Sequence, residues 1–342
     1  MSYLSQKAQQ LTPYEAGYQP PDQGWVKLNT NENPYPPSPD VMKALEESGV
    51  ARLRLYPDSD SSALRSAIAD CAGVGTENIF CGNGSDEVLA LAFQAFFSGK
   101  NDVLTPDISY GFYPVWGKMY DVGLRFLPLD EAFTIEVAAY RNSAGVVIAN
   151  PNAPTGIALQ IEEIEAIVRS NPQGVVIIDE AYVDFSSCGS AVDLIGKYEN
   201  LLVVRTFSKS HSLAGARVGY AVGGAELIGA LQKVKNAFNS YPLDMLSQVC
   251  AAAAIKDVAY YSDKRDIIVE TRKLVESELS CAPSQANFIF WKTQDGKAMY
   301  EHLYANKVLV RHWDKPRISN YLRVTIGTRE EMEVFLQCVK KY

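Results

Sequence analysis

The sequence predicts an α/β protein: a large domain with a mostly parallel central sheet, plus a smaller α+β domain. Three observations lead there. The runs Gly145–Ala149, Val175–Ile178 and Leu201–Arg205 are short, almost wholly apolar and rich in Val and Ile, as strands covered on both faces are. Between two of them, Ile161–Val168 has helical spacing, and strand–helix–strand alternation builds a parallel sheet with helices on both sides. Finally, 342 residues suffice for about two domains and bury most of the chain's apolar surface without staples.

The elements follow in order. Residues 1–39 are rich in Pro, Asn and Tyr and lack periodicity, which predicts an ordered arm or loops. Asp40 is then placed to cap a helix running to about Ser48. A helix from Ser61 to Cys71 leads to a strand Asn78–Cys81, a Gly-rich turn and an apolar helix Glu87–Phe97. Short strands are expected at Asp102–Thr105 and Leu124–Pro128, ahead of the three apolar runs. After Tyr241-Pro242 the character changes. Residues 245–280 read as one or two long helices, Asn287–Trp291, Val308–Val310 and Tyr321–Ile326 as strands, and 296–305 and 329–340 as helices. The expected division is a large domain over 50–244 and a small one made of 1–49 with 245–342.

Composition narrows the function classes. Apolar residues make up 47% and charged residues 21%, ordinary globular usage that argues against disorder. Thirty-two Lys and Arg against 40 Asp and Glu leave a net charge of −8, which disfavours a general nucleic-acid or membrane-surface binder. The six cysteines are scattered with no CxxC pair, and His211, His302 and His312 are isolated. They read as reduced core residues, with no zinc site expected. No secretory leader and no apolar stretch of about 18 residues is seen, so a cytoplasmic protein is expected.

In an open parallel sheet, ligands gather beyond the carboxyl ends of the strands. Four such ends carry polar residues. Gly82-Asn83-Gly84-Ser85-Asp86 is either a tight turn with a helix cap or a place where backbone N–H groups meet a phosphate. Asp179-Glu180-Ala181-Tyr182 follows a buried strand. Its acid is either a cap or a partner for a cationic ring nitrogen. It does not belong to an ATPase, because every Gly-Lys pair here is followed by Asn101, Met119, Tyr198 or Ala298 rather than Ser or Thr. Thr206-Phe207-Ser208-Lys209, with Arg217 eight residues past the lysine, is either solvated or a buried amine nucleophile beside a phosphate site. No GxSxG elbow accompanies Ser208, so a serine hydrolase is a poor alternative. Asn150-Pro151-Asn152-Ala153-Pro154-Thr155-Gly156 is a turn sequence in its own right.

Together these motifs resemble the fold-type I enzymes that use pyridoxal 5'-phosphate, specifically the class I/II aminotransferases and, among them, the histidinol-phosphate branch. The resemblance also draws on Leu11-Thr12-Pro13-Tyr14, Leu28–Pro34, Tyr56-Pro57, Ser109-Tyr110, Arg311 and Leu322–Thr328, in the family's order along nearly the whole chain. It implies transamination between L-histidinol phosphate and 2-oxoglutarate by a ping-pong route, on a homodimer with shared active sites. Lys209 would hold the cofactor and shuttle the proton. Asp179 would face the pyridine nitrogen, and Tyr182 the ring's phenolic oxygen. Tyr110 would stack on the ring. Backbone N–H groups around Gly84, Ser85 and Asp86, with Thr206, Ser208 and Arg217, would hold the phosphate, joined by Tyr56 from the partner subunit. Arg323, Arg311, Tyr14 and Asn33 are the expected substrate contacts, with Tyr241 lining the site from the partner chain. One departure stands out. Where the family has Asn directly before Pro-Thr-Gly, this chain has Ala153, and Asn152 is expected to substitute. Aromatic aminotransferases and a threonine-phosphate decarboxylase share the scaffold. A non-enzymatic regulator of the same fold is disfavoured because Lys209 and Asp179 are both kept.

Overall fold

The computed structural model describes residues 3–21 and 24–342. After the arm helix Gln6–Gln10, strand β1 (Val26–Lys27) opens the folded body. Seven strands then form the central sheet: β2 (Ile79–Asn83), β3 (Asn101–Pro106), β4 (Gly123–Leu127), β5 (Gly145–Ala149), β6 (Val175–Asp179), β7 (Leu201–Thr206) and β8 (Val218–Gly223). Their spatial order is β2-β8-β7-β6-β5-β3-β4. All neighbours pair in parallel except β8, which runs antiparallel to both β2 and β7. The mostly parallel sheet expected from the apolar runs is therefore present, with one reversed strand added.

Both sheet faces are covered. One face packs Phe80, Val147, Ile177, Leu202 and Val204 against the helix Gly84–Ala92 and the aromatic segment after it. The other packs Val146, Ile148, Val176, Ile178 and Val203 against the helix Ile161–Arg169. Burial on two faces is why these strands carry unbroken Val/Ile runs rather than alternation.

Boundaries differ from expectation in physically readable ways. The helix expected to start on Asp40 spans Pro39–Glu47, with Ser38 at the cap position, because proline suits the first helical turn. The apolar helix begins at Gly84 and passes from α-helix to a π-helical turn at Phe93–Phe97. The C-terminal region holds the helices Met245–Ala254 and Val258–Leu279. Beyond them, β9 (Phe288–Lys292), β10 (Val308–Leu309), β11 (Arg311–His312) and β12 (Tyr321–Thr325) follow. A three-stranded antiparallel sheet runs β11-β12-β9, and β10 pairs in parallel with β1 of the arm.

The arm is tied to this C-terminal sheet by its backbone. Leu28 N donates to Leu309 O at 2.7 Å, and Thr325 N donates to Leu28 O at 2.9 Å. That strap carries Asn29 to Glu32 across to the carboxyl ends of the central strands.

Candidate active site

The carboxyl ends of β2, β3, β5, β6 and β7 open onto one cavity of about 610 Å³, and the start of β8 lies at the same edge. Its lining includes Ser85, Asp86, Tyr110, Asp179, Tyr182 and Lys209, together with Thr206, Ser208 and Arg217. A second cavity of about 690 Å³ shares Tyr14, Tyr110, Ala153, Arg311 and Arg323 with the first. The two form one continuous cleft between the central sheet and the small β9–β12 sheet.

Lys209 follows β7. Its Nζ donates to Thr30 O of the arm at 3.0 Å and sits 5.7 Å from the Tyr182 ring. Burial, helped by the positive Arg323, lowers its pKa to about 8. A buried ammonium loses its hydration, so the neutral amine becomes accessible near physiological pH. Immediately behind it, Arg205 pairs with Glu180 at 3.1 Å and with Asp184 at 3.5 Å. Ser210 Oγ donates to Asp184, and His211, whose pKa burial lowers to about 4, stands beside Ser210. This network fixes the turn from which Lys209 projects.

Asp179 ends β6 and is 5% exposed. Tyr113 OH donates to its Oδ2 at 2.9 Å and Ala181 N to its Oδ1 at 3.2 Å. Burial raises its pKa to about 6 despite both bonds. A carboxylate in that state favours a cationic partner in the cavity. Tyr113 was not singled out by the sequence reading. Its signal is the spacing of Tyr110, Tyr113 and Trp116 on one face of the turn and helix Tyr113–Met119, where the rings contact one another.

The phosphate cradle is built from small residues and free donors. A Cβ on Gly84 would lie 2.4 Å from Arg217 Nη2, and one on Gly219 would lie 2.2 Å from Ser85 N. Gly84 also has φ +78°, a conformation glycine adopts freely. The helix beginning there presents first-turn N–H groups that have no intrahelical acceptor. Arg217 Nη1 reaches Ser208 Oγ at 3.4 Å and Nη2 reaches Asp86 Oδ2 at 3.3 Å. Tyr110 OH donates to Asp86 Oδ1 at 2.7 Å. A buried amine, a buried acid and an anion cradle on one cavity fit pyridoxal phosphate, which offers an aldehyde, a basic ring nitrogen and a dianion.

Comparison with known proteins now bears on the assignment. The family described as aminotransferase class I and II matches residues 23–339. The chain belongs to that family. Among curated relatives of these aminotransferases, the histidinol-phosphate aminotransferase of Brachyspira hyodysenteriae is 46% identical over 99% of this chain and 98% of its own. That of Lactococcus lactis subsp. cremoris is 45% identical over 97% and 95%. Among solved aminotransferase structures, histidinol-phosphate aminotransferase from Sinorhizobium meliloti in complex with pyridoxal-5'-phosphate superposes with a TM-score of 0.88 at 21% identity. It covers 100% of this chain and 98% of its own. The fold-type I assignment made from the motifs is thereby established.

Two predicted contacts, Asn152 and Asn33, sit elsewhere in this aminotransferase chain. Asn152 does not face the cavity. Its Nδ2 donates to Ile108 O and Thr155 Oγ1, both at 3.0 Å, and its Oδ1 accepts from Ser109 Oγ at 2.8 Å. Its amide is spent fastening two loops, and Ala153 lines the wall instead. Asn33 is also turned away, donating to Ser210 O at 3.1 Å and accepting from Tyr35 N at 3.0 Å. Two residues earlier, Asn31 lines the cavity and donates to Tyr182 OH at 2.9 Å. Tyr56 is 82% exposed and stacks on Tyr241 at 4.8 Å, outside its own chain's cavity.

Arg323 and Arg311 do converge on the cleft. Arg323 Nη2 donates to Asn29 O at 2.8 Å, while its buried Nε has no partner among the described residues. Arg311 Nη2 donates to Glu15 O at 3.1 Å. The two are cross-strand neighbours, and the Trp313 ring packs on both, 5.5 Å from the Arg311 guanidinium and 5.3 Å from that of Arg323. Tyr14 stacks on Phe112 at 4.3 Å at the mouth of both cavities. Among the described residues no group of His, Cys, Asp and Glu could hold a metal, and no helix is long and apolar enough to cross a membrane.

Proposed function

We propose that the chain is a cytoplasmic, pyridoxal-phosphate-dependent transaminase acting on L-histidinol phosphate and 2-oxoglutarate, in the service of histidine biosynthesis. The observation that carries this reading is the convergence of Lys209, Asp179 and two guanidinium groups without carboxylate partners among the described residues on one cleft. The substrate follows from the curated relatives at 45–46% identity over nearly the full chain.

When bound, pyridoxal phosphate supplies an electrophilic carbonyl and a ring that takes up the electron pair left when the substrate's α-carbon loses its proton. The chain's residues do the rest. Lys209, available as the neutral amine, would hold the cofactor through its carbonyl carbon and would carry the proton from the substrate's α-carbon. Asp179 would keep a proton on the ring nitrogen through its negative charge. Tyr182 would donate its hydroxyl proton to the ring's phenolic oxygen. The backbone N–H groups at Ser85 and Asp86, the hydroxyls of Thr206 and Ser208, and Arg217 would orient the phosphate through the cradle described above.

Arg323 and Arg311 bind the substrate's anionic end. Their forked donors match a carboxylate or a phosphate, which lets one pocket serve both glutamate and histidinol phosphate. The decisive experiment is a half-reaction panel read by loss of the bound cofactor's visible absorption. Histidinol phosphate should discharge it at least tenfold more efficiently than phenylalanine, tyrosine or phosphothreonine. Preference for either aromatic amino acid, or release of CO₂ from phosphothreonine, would reassign the substrate.

The same reading makes the active unit a homodimer. Tyr56 and Tyr241 project from the surface near exposed Val50, Leu53, Leu55 and Phe238, an apolar grouping that suits a second copy. Tyr56 then reaches the partner's phosphate cradle. Co-expression of Lys209→Ala with Tyr56→Ala chains should rebuild one complete site per mixed dimer, about a quarter of the wild-type sites when pairing is random. No activity above that of either variant alone would count against shared sites.

A further inference from the structure

The hydrogen-bond polarity of the Tyr182 hydroxyl can be traced to a group that cannot reverse. Asn31 N–H donates to Thr325 Oγ1 at 3.0 Å. Thr325 Oγ1 donates to Asn31 Oδ1 at 3.1 Å. Asn31 Nδ2 then donates to Tyr182 OH at 2.9 Å. Asn31 at 1% and Thr325 at 3% exposure are both buried, so the bonds between them are shielded from bulk solvent.

The opposite amide orientation would put Oδ1 against Tyr182 and two donors against Thr325. The threonine hydroxyl proton would then have no acceptor, which is costly in a buried site. Backbone geometry therefore selects the orientation of the Asn31 amide. Asn31 is held in place by its carbonyl, which accepts from Asn287 Nδ2 at 3.0 Å, and by a left-handed backbone, φ +57°. Asparagine tolerates that conformation better than most residues.

We infer that Asn31 is a positioning residue: through the Thr325–Asn31–Tyr182 chain it aims the Tyr182 hydroxyl proton into the cavity, toward the cofactor's phenolic oxygen. The inference rests on the reading that the cavity holds pyridoxal phosphate. It gains weight from Ala153, because this residue, packed in one cluster with Tyr182, offers no amide and Asn152 is turned away. Tyr182 then makes that contact by itself. An acceptor-only side chain at position 31 would draw the tyrosine proton outward and leave the phenolic oxygen facing a lone pair.

The test uses Asn31→Asp, which keeps size and left-handed tolerance, Thr325→Val, which frees the amide to turn, and Thr325→Ser, which restores the hydroxyl. Equilibrium binding is measured for pyridoxal phosphate and for 3-deoxypyridoxal phosphate, which lacks the phenolic oxygen. Asn31→Asp and Thr325→Val should bind pyridoxal phosphate roughly tenfold to a hundredfold more weakly and bind the deoxy analogue as the wild type does. Thr325→Ser should match the wild type with both ligands. Equal losses for both ligands would reduce Asn31 to a structural role and overturn the inference, as would unchanged affinities. Failure of the wild-type protein to bind pyridoxal phosphate at all would instead remove the reading beneath it.

Discussion

Lys209→Ala is expected to lower transamination by at least roughly 10⁴-fold, because one substitution removes both the nucleophile and the proton carrier. The loss should fall on the turnover step far more than on phosphate affinity, since the cradle of Ser85, Arg217 and Gly219 does not involve the lysine side chain. The wild-type enzyme should capture added cofactor faster as pH rises through about 8, where burial places the amine's ionisation. Stopped-flow absorbance between pH 6 and 9 measures both effects. A variant retaining turnover, or a capture rate flat in pH, would show that Lys209 is a packed lysine without a chemical role.

Replacing Asp179 should produce the second large effect, and it has two signatures. With cofactor, Asp179→Ala should slow α-proton removal on the order of 10²–10³-fold, the scale of losing one preorganised electrostatic partner. Without cofactor, the carboxyl is buried and its pKa is raised to about 6. A raised acid stabilises the folded state fully below its unfolded pKa, and that contribution is lost as pH rises through the folded value. Between about pH 4 and 6 the cofactor-free protein should therefore lose about 3 kcal/mol from this group. Asp179→Asn should flatten that slope, and bound cofactor should suppress it by supplying a cation. Chemical denaturation across this range, with and without pyridoxal phosphate, measures the slopes. Superposable wild-type and Asn curves would make Asp179 an ordinary helix-approach residue.

The legible parts of this protein are those where chemistry and local pattern coincide. Val175–Asp179 and Leu201–Thr206 are double-covered strands, so unbroken apolar runs mark them and the polar residues after the runs fall at the site. Strand β8 was not legible. Gly219 and Gly223 interrupt its apolar run, and at Gly219 the backbone of Gly84 and Ser85 approaches too closely for a Cβ. Helix Ala225–Phe238 also went unremarked, lying past the motif that drew notice to Arg217. The asparagines show a different limit. Asn31 and Asn33 occupy one short motif, and only the left-handed turn at Asn31 decides which faces the cavity. Its partner Tyr182 lies 151 residues away, beyond any local periodicity. The expectation that Asn152 substitutes at the ring fails for the same reason. The Asn152 amide is drawn to Ile108 and Ser109 on another loop, a contact only the folded chain creates.

The most direct test is borohydride reduction of the cofactor-loaded protein followed by peptide mapping. A single pyridoxyl phosphate addition on the peptide containing Ser208-Lys209-Ser210 is the predicted result. Modification of a different lysine, or no added mass after incubation with pyridoxal phosphate, would contradict the account.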